Sequence, residues 1–101
     1  MGFSVILPTL NENGHIEDLV NNISNIFENK KIDYEIIVVD DNSSDGTIET
    51  IKNLLKRNVN LKLIVRESKN KNLAESINEG IKKSVFDNLV WMDADFQHPP
   101  K

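Results

Sequence analysis

Asp93-Ala94-Asp95 places two carboxylates one residue apart near the end of the sequence. In extended chain, residues i and i+2 project to the same side. Two carboxylates facing one point repel each other unless a cation lies between them. A hard divalent ion such as Mg²⁺ or Mn²⁺ takes oxygen ligands and accepts phosphate as a co-ligand. Gln97 offers a further neutral oxygen, and His98 lies beside the same segment. The competing reading is a solvated loop whose aspartates cap a helix, and a bare Asp-x-Asp does not separate the two. A second cluster, Asp40-Asp41-Asn42-Ser43-Ser44-Asp45-Gly46, is equally open. Its aspartates and serines either close a strand and cap the next helix, or one carboxylate accepts hydrogen bonds from a base N–H. A third polar segment is Pro8-Thr9-Leu10-Asn11-Glu12.

These segments need elements that bring them together. Four short apolar runs supply them: Phe3 to Leu7, closed by Pro8; Tyr34 to Val39, ended by Asp40-Asp41; Leu61 to Val65; and Leu89 to Met92, ended by Asp93. Runs this short and apolar on both faces suit parallel strands buried between helices. Between them apolar residues recur at helical spacing. Ile16, Leu19, Val20, Ile23, Ile26 and Phe27 form one stripe, with Asn13 as its expected N-cap. Ile48, Ile51, Leu54 and Leu55 form a second, entered through a turn at Gly46. Leu73, Ile77 and Ile81 form a third, with Asn72 and Glu75 at capping-box spacing and Lys82-Lys83 suited to its C-terminus. Gly80, inside this third helix, is expected to allow close helix–sheet packing.

The order β-α-β-α-β-α-β implies an α/β fold with a parallel sheet and right-handed crossovers. In such a sheet ligands bind beyond the carboxyl ends of the strands. All three acidic segments follow strands, so all three fall on that edge. Arg66-Glu67-Ser68-Lys69, after the third strand, is expected to add positive charge there.

Composition bounds the alternatives. The 101 residues make one domain, 1–101, with an ordinary 39% apolar and 28% charged content. Sixteen acidic against twelve basic residues give a net charge of −4, with no basic patch for nucleic acid. An acidic protein that binds a diphosphate needs a cation as a bridge, because its own carboxylates repel the phosphates. The absence of cysteine excludes disulfides and thiolate metal sites. No apolar run approaches the roughly 20 residues of a membrane span, and the N-terminus does not read as a signal peptide. A dinucleotide-binding domain would need Gly-x-Gly-x-x-Gly after the first strand, which is missing. A phosphorelay receiver would need an Asp after the third strand, where Arg66 stands.

Taken together, the segments resemble one family. Val5-Ile6-Leu7-Pro8-Thr9-Leu10-Asn11-Glu12 is similar to the opening of family-2 glycosyltransferases. Tyr34 to Thr47 resembles their second strand and base-binding turn. Trp91-Met92-Asp93-Ala94-Asp95-Phe96-Gln97-His98-Pro99-Pro100 resembles the metal segment of dolichol-phosphate mannosyltransferases and related polyprenyl-phosphate sugar transferases. The three occur in the family's order along essentially the whole chain. Departures are Leu10, where the family often has an aromatic residue, and Lys69-Asn70-Lys71-Asn72, where it tends to have a glycine-rich turn.

The resemblance implies a three-layer, Rossmann-like GT-A arrangement with strand order 3-2-1-4. It also implies roles. Pro8, Leu10 and Glu12 would line the nucleotide pocket, Asp41 would bind the base, Asp93 would serve nucleotide and metal, and Asp95 and Gln97 would complete the metal and diphosphate site with Mg²⁺ or Mn²⁺. The implied reaction is inverting sugar transfer from a GDP- or UDP-sugar, GDP-mannose foremost, to a polyprenyl or dolichyl phosphate. The family's domain continues past the Asp-x-Asp segment into acceptor-binding elements. The expectation is therefore the donor-binding half, with no catalytic base assigned. The alternative is a non-catalytic nucleotide- or metal-binding module. The expected location is the cytoplasm or the cytoplasmic membrane face, and self-association through an exposed edge strand is expected.

Overall fold

The structure, a computed structural model, describes residues 2–11, 13–58, 60–66 and 73–92. Its elements are β1 (Gly2–Thr9), α1 (Ile16–Lys30), β2 (Asp33–Asp40), α2 (Thr47–Leu55), β3 (Leu61–Val65), α3 (Leu73–Lys83) and β4 (Asn88–Trp91). The four strands form one parallel sheet in the order β3-β2-β1-β4, as the resemblance implied. β1 and β2 pair along their full length, from Gly2 opposite Asp33 to Thr9 opposite Asp40.

Strand residues alternate between faces, and both faces are apolar here. Val5, Leu7, Ile36, Val38 and Leu61 meet Ile16, Leu19, Val20 and Ile23 of α1 and Ile51 and Leu54 of α2 in one buried cluster. Ile6, Ile37 and Val39 form a smaller cluster on the opposite face, joined by Ile64. α3 covers that face, and Gly80 sets its approach: a Cβ built there would lie 2.6 Å from Ile6 Cγ2. The glycine's expected packing role is therefore observed.

Three local expectations need correction. β1 does not close at Pro8 but runs to Thr9. The reason is directional. Pro8 has the parity of Ile6, whose carbonyl accepts the Met92 N–H at 3.1 Å. The missing proline N–H thus faces the β4 side, beyond the last paired residues, Ile6 and Trp91. Asn13 does not cap α1. His15 occupies that position without a side-chain cap, while Asn13 Oδ1 accepts the Thr50 hydroxyl of α2 at 2.5 Å. β4 is not buried on both faces, because it is the sheet's edge and its residues are exposed. Of the expected α3 capping box, Asn72 lies outside the described residues, and Glu75 Oε2 accepts a hydrogen bond from Arg66.

Candidate functional site

The carboxyl edge of β1 and β2 is closed by one carboxylate. Asp40 is fully buried. It accepts the Thr9 hydroxyl at 2.6 Å, the Ser43 hydroxyl at 2.6 Å and the Ser43 N–H at 2.7 Å. A buried carboxylate must be satisfied in this way, so Asp40 follows the strand-closing reading. Asn42 takes φ 65° to turn the chain back over the strand end, a left-handed conformation that Asn tolerates. Gly46, at φ 97°, makes the turn into α2.

Two loops are laced together above this edge. The Asn11 N–H donates to Ser43 Oγ at 2.8 Å, and Asn11 Oδ1 accepts the Ser44 N–H at 2.9 Å. Next along, the Asn13 N–H donates to Asp45 Oδ2 at 3.2 Å. The hydroxyl of Thr47 donates to Asp45 Oδ1, as does the Thr47 N–H at 3.0 Å. The Thr47 hydroxyl holds the Asp45 carboxyl below the ordinary aspartate range, and the N–H groups of Asn13 and Thr47 add to this against a desolvation cost. Asp45, not Asp40 or Asp41, is therefore the residue that serves the start of α2.

Asp41 is different. It follows the register pair Thr9 and Asp40, and its side chain is 13% exposed. Its N–H donates to the Thr9 carbonyl at 3.0 Å. Arg66 Nη1 lies 3.0 Å from Asp41 Oδ1, and the Ser76 hydroxyl lies 3.3 Å from both carboxylate oxygens. Arg66 also donates to Ser76 Oγ at 2.9 Å and to Glu75 Oε2 at 2.8 Å. The positive charge expected from Arg66 at this edge is thus compensated by Asp41 and Glu75.

Of the residues singled out in the sequence, the structure brings Leu10 and Asp41 to one edge. Each lies one position beyond a register partner, and Leu10 is 44% exposed. Pro8 lies just below, inside β1. Glu12, Asp93, Asp95 and Gln97 lie outside the described residues. Among the described residues no group of three or more His, Cys, Asp or Glu side chains is poised to hold a metal. Sequence reasoning placed Arg66 at this edge but missed its partners Ser76 and Glu75, and it missed the Asn11 and Asn13 bonds. Arg66 had a signal, since a residue directly after a parallel strand must fall on this edge. Ser76, on a helix, had none.

The family-2 glycosyl transferase model matches residues 4–101. The chain belongs to glycosyl transferase family 2. It is 37% identical over 102 residues to a dolichol-phosphate mannosyltransferase of Mycosarcoma maydis, covering 97% of this chain and 34% of that one. It is 41% identical over 101 residues to a dolichol-phosphate mannosyltransferase of Pyrococcus furiosus, covering 100% of this chain and 28% of that one. This family-2 chain thus spans about a third of the length of these curated relatives. Its fold matches that of Staphylococcus aureus TarS residues 1–349, in complex with UDP, with TM-score 0.79 and 29% identity over 94% of this chain and 28% of that one. It also matches a Pyrobaculum calidifontis mannosyltransferase in complex with GDP-Man and Mn²⁺, with TM-score 0.75 and 29% identity over 92% of this chain and 27% of that one.

Proposed function

We propose that this chain is the donor-binding part of a divalent-metal-dependent glycosyltransferase that moves mannose from GDP-mannose to a polyprenyl or dolichyl phosphate. The observation that carries the reading is the carboxyl edge of β1 and β2. There the exposed Leu10 side chain and the braced Asp41 carboxylate stand one position beyond a register pair. Leu10 and Pro8 would give the nucleotide an apolar wall, with Glu12 beside them. Asp41 would accept N–H donors from the base. The likeness to mannosyltransferases in sequence, and to a fold solved with GDP-Man and Mn²⁺, supports this choice of donor.

The donor set fits a hard divalent ion. Asp40 and Asp45 at this edge accept hydrogen bonds, and Asp41 pairs with Arg66, so none of them is arranged to share a metal. By the resemblance of the Trp91 to Pro100 segment to the family's metal segment, Asp93, Asp95 and Gln97, all oxygen ligands, would hold Mg²⁺ or Mn²⁺. The segment follows β4 in sequence, and the Met92 N–H just before it bonds to the Ile6 carbonyl of β1. A bound ion there would supply neutralisation of the leaving diphosphate as its charge develops. The proposed location is the cytoplasm or the cytoplasmic membrane face.

Calorimetry of the protein with GDP and UDP, with and without Mn²⁺, tests the reading. The expected result is GDP binding that strengthens with Mn²⁺, and loss of that strengthening in Asp95→Asn. Absence of heat with either nucleotide in either condition overturns it.

A further inference from the structure

Ser76 brings a buried hydroxyl to the Asp41 carboxylate. It is 1% exposed and belongs to α3, whereas the Asp41 carboxylate it faces follows β2. A hydroxyl carries one proton and two acceptor lone pairs. Arg66 Nη1 supplies a proton to Ser76 Oγ at 2.9 Å, so the Ser76 proton is free to point at Asp41, both of whose oxygens are 3.3 Å away. Arg66 meets one of those oxygens directly at 3.0 Å. The carboxylate is therefore held by a guanidinium from the end of β3 and a hydroxyl from α3. Glu75, with its side chain 48% exposed, anchors the far side of the same guanidinium.

A carboxylate accepts hydrogen bonds at about four lone-pair positions. Guanine presents two neighbouring N–H donors, at N1 and N2, which match the two oxygens of a carboxylate held in one plane. Uracil presents a single N–H flanked by two carbonyl oxygens, which a carboxylate repels. A freely rotating carboxylate would satisfy one donor as well as a fixed one but would lose the paired match. We propose that Ser76, acting with Arg66, is a positioning residue that fixes the plane of the Asp41 carboxylate for two-point reading of a guanine edge. The proposal rests on the donor-site reading above.

The test is calorimetry of the full chain and its Ser76→Ala and Ser76→Thr variants with three probes, GDP, UDP and inorganic pyrophosphate, each with Mn²⁺. Ser76→Ala is expected to weaken GDP by about tenfold, the effect of one hydrogen bond to a charged group. UDP should weaken much less and pyrophosphate not at all, so the GDP-to-UDP ratio falls. Ser76→Thr, which keeps the hydroxyl, should restore most of the ratio. Unchanged GDP binding, or equal losses for all three probes, overturns the positioning role while leaving the donor site standing. Failure of the unsubstituted protein to bind GDP overturns the donor-site reading and the positioning role with it. If Ser76→Ala does not fold, Glu75→Gln loosens the same guanidinium from its exposed side. It should lower the GDP-to-UDP ratio in the same direction, and no change in that ratio overturns the role.

Discussion

Glu35→Gln should destabilise the protein through a network far from the proposed site. Glu35 is opposite Ser4 in the β1–β2 register, at the amino edge of the sheet. Its side chain is buried. One carboxylate oxygen accepts the Ser4 hydroxyl at 2.5 Å and the Val85 N–H at 2.7 Å; the other lies 2.7 Å from Lys62 Nζ. The network ties β1, β2, β3 and the connection into β4 together, since the Phe86 N–H donates to Ser4 Oγ at 3.2 Å. A glutamine has one acceptor oxygen. Placed toward Ser4 and Val85, it keeps two hydrogen bonds at reduced strength and turns an NH₂ donor against the Lys62 ammonium. Placed the other way, it turns that donor against Val85. Weakening two charge-assisted bonds costs about 1 kcal/mol. Losing the ion pair costs about 1 kcal/mol more, no higher because the Lys62 side chain is 44% exposed and can turn to water. A loss of about 2 kcal/mol should lower Tm by roughly 8–16 °C in a domain of this size.

The same substitution has a pH signature. Burial by itself would raise the Glu35 pKa, but the hydrogen bonds from Lys62, Ser4 and Val85 and the Lys62 charge together hold it below the ordinary glutamate value. A depressed folded-state pKa gives stabilisation that is complete above the unfolded value, about 4.3. That stabilisation is lost as pH falls through the lower folded value. Thermal denaturation followed by circular dichroism should therefore show the full Tm gap between the two proteins at pH 7, narrowing below about pH 4. A gap that is absent at pH 7, or that persists unchanged at pH 3, would refute the assignment of this network.

Two further expectations follow from packing. Gly80→Val should lower the urea midpoint without changing the slope, by about 2–3 kcal/mol of overpacking, because even a Cβ would lie 2.6 Å from Ile6 Cγ2; an unchanged midpoint would contradict the close helix–sheet approach. β4 is a parallel edge strand whose Leu89, Val90 and Trp91 side chains are exposed, as is Met92 just after it, so sedimentation should show concentration-dependent self-association that Trp91→Lys reduces, and a monomer at high concentration would count against it.

The architecture was legible because its signals are local. β3 spans the residues its apolar run marked, and the other strands differ from theirs by one or two residues at each end. Gly46 and Gly80 likewise showed through, one by a turn and the other by its place in a helix. What was not legible depends on contacts between distant segments. The sequence treated Asp40 and Asp41 as an ambiguous pair, and only their partners separate them. Asp40 turns inward to Thr9 and Ser43, whereas Asp41 meets Arg66 and Ser76, 25 and 35 residues further on. Asn13 looked like a helix cap because Asn often is one, but a hydroxyl on α2 claims its side chain. Propensity reads what a residue can do; the competing partner decides what it does.

The parallel sheet also divides labour between its two edges. All strands begin at one edge and end at the other, so the Glu35 network at the amino edge and Asp41 at the carboxyl edge are separated by the length of β2. Between them Ile36, Ile37, Val38 and Val39 of β2 are apolar and buried, and sites this far apart should act additively. Asp40 breaks this simple division. It lies at the chemical edge, yet its oxygens serve Thr9 and Ser43. It supports the proposed site only by fixing the turn from which Asp41 is presented. The carboxylate neighbouring it in sequence is the one left partly open to solvent, and that difference in exposure, more than the Asp-Asp pair itself, is why the proposed base-reading role falls to Asp41.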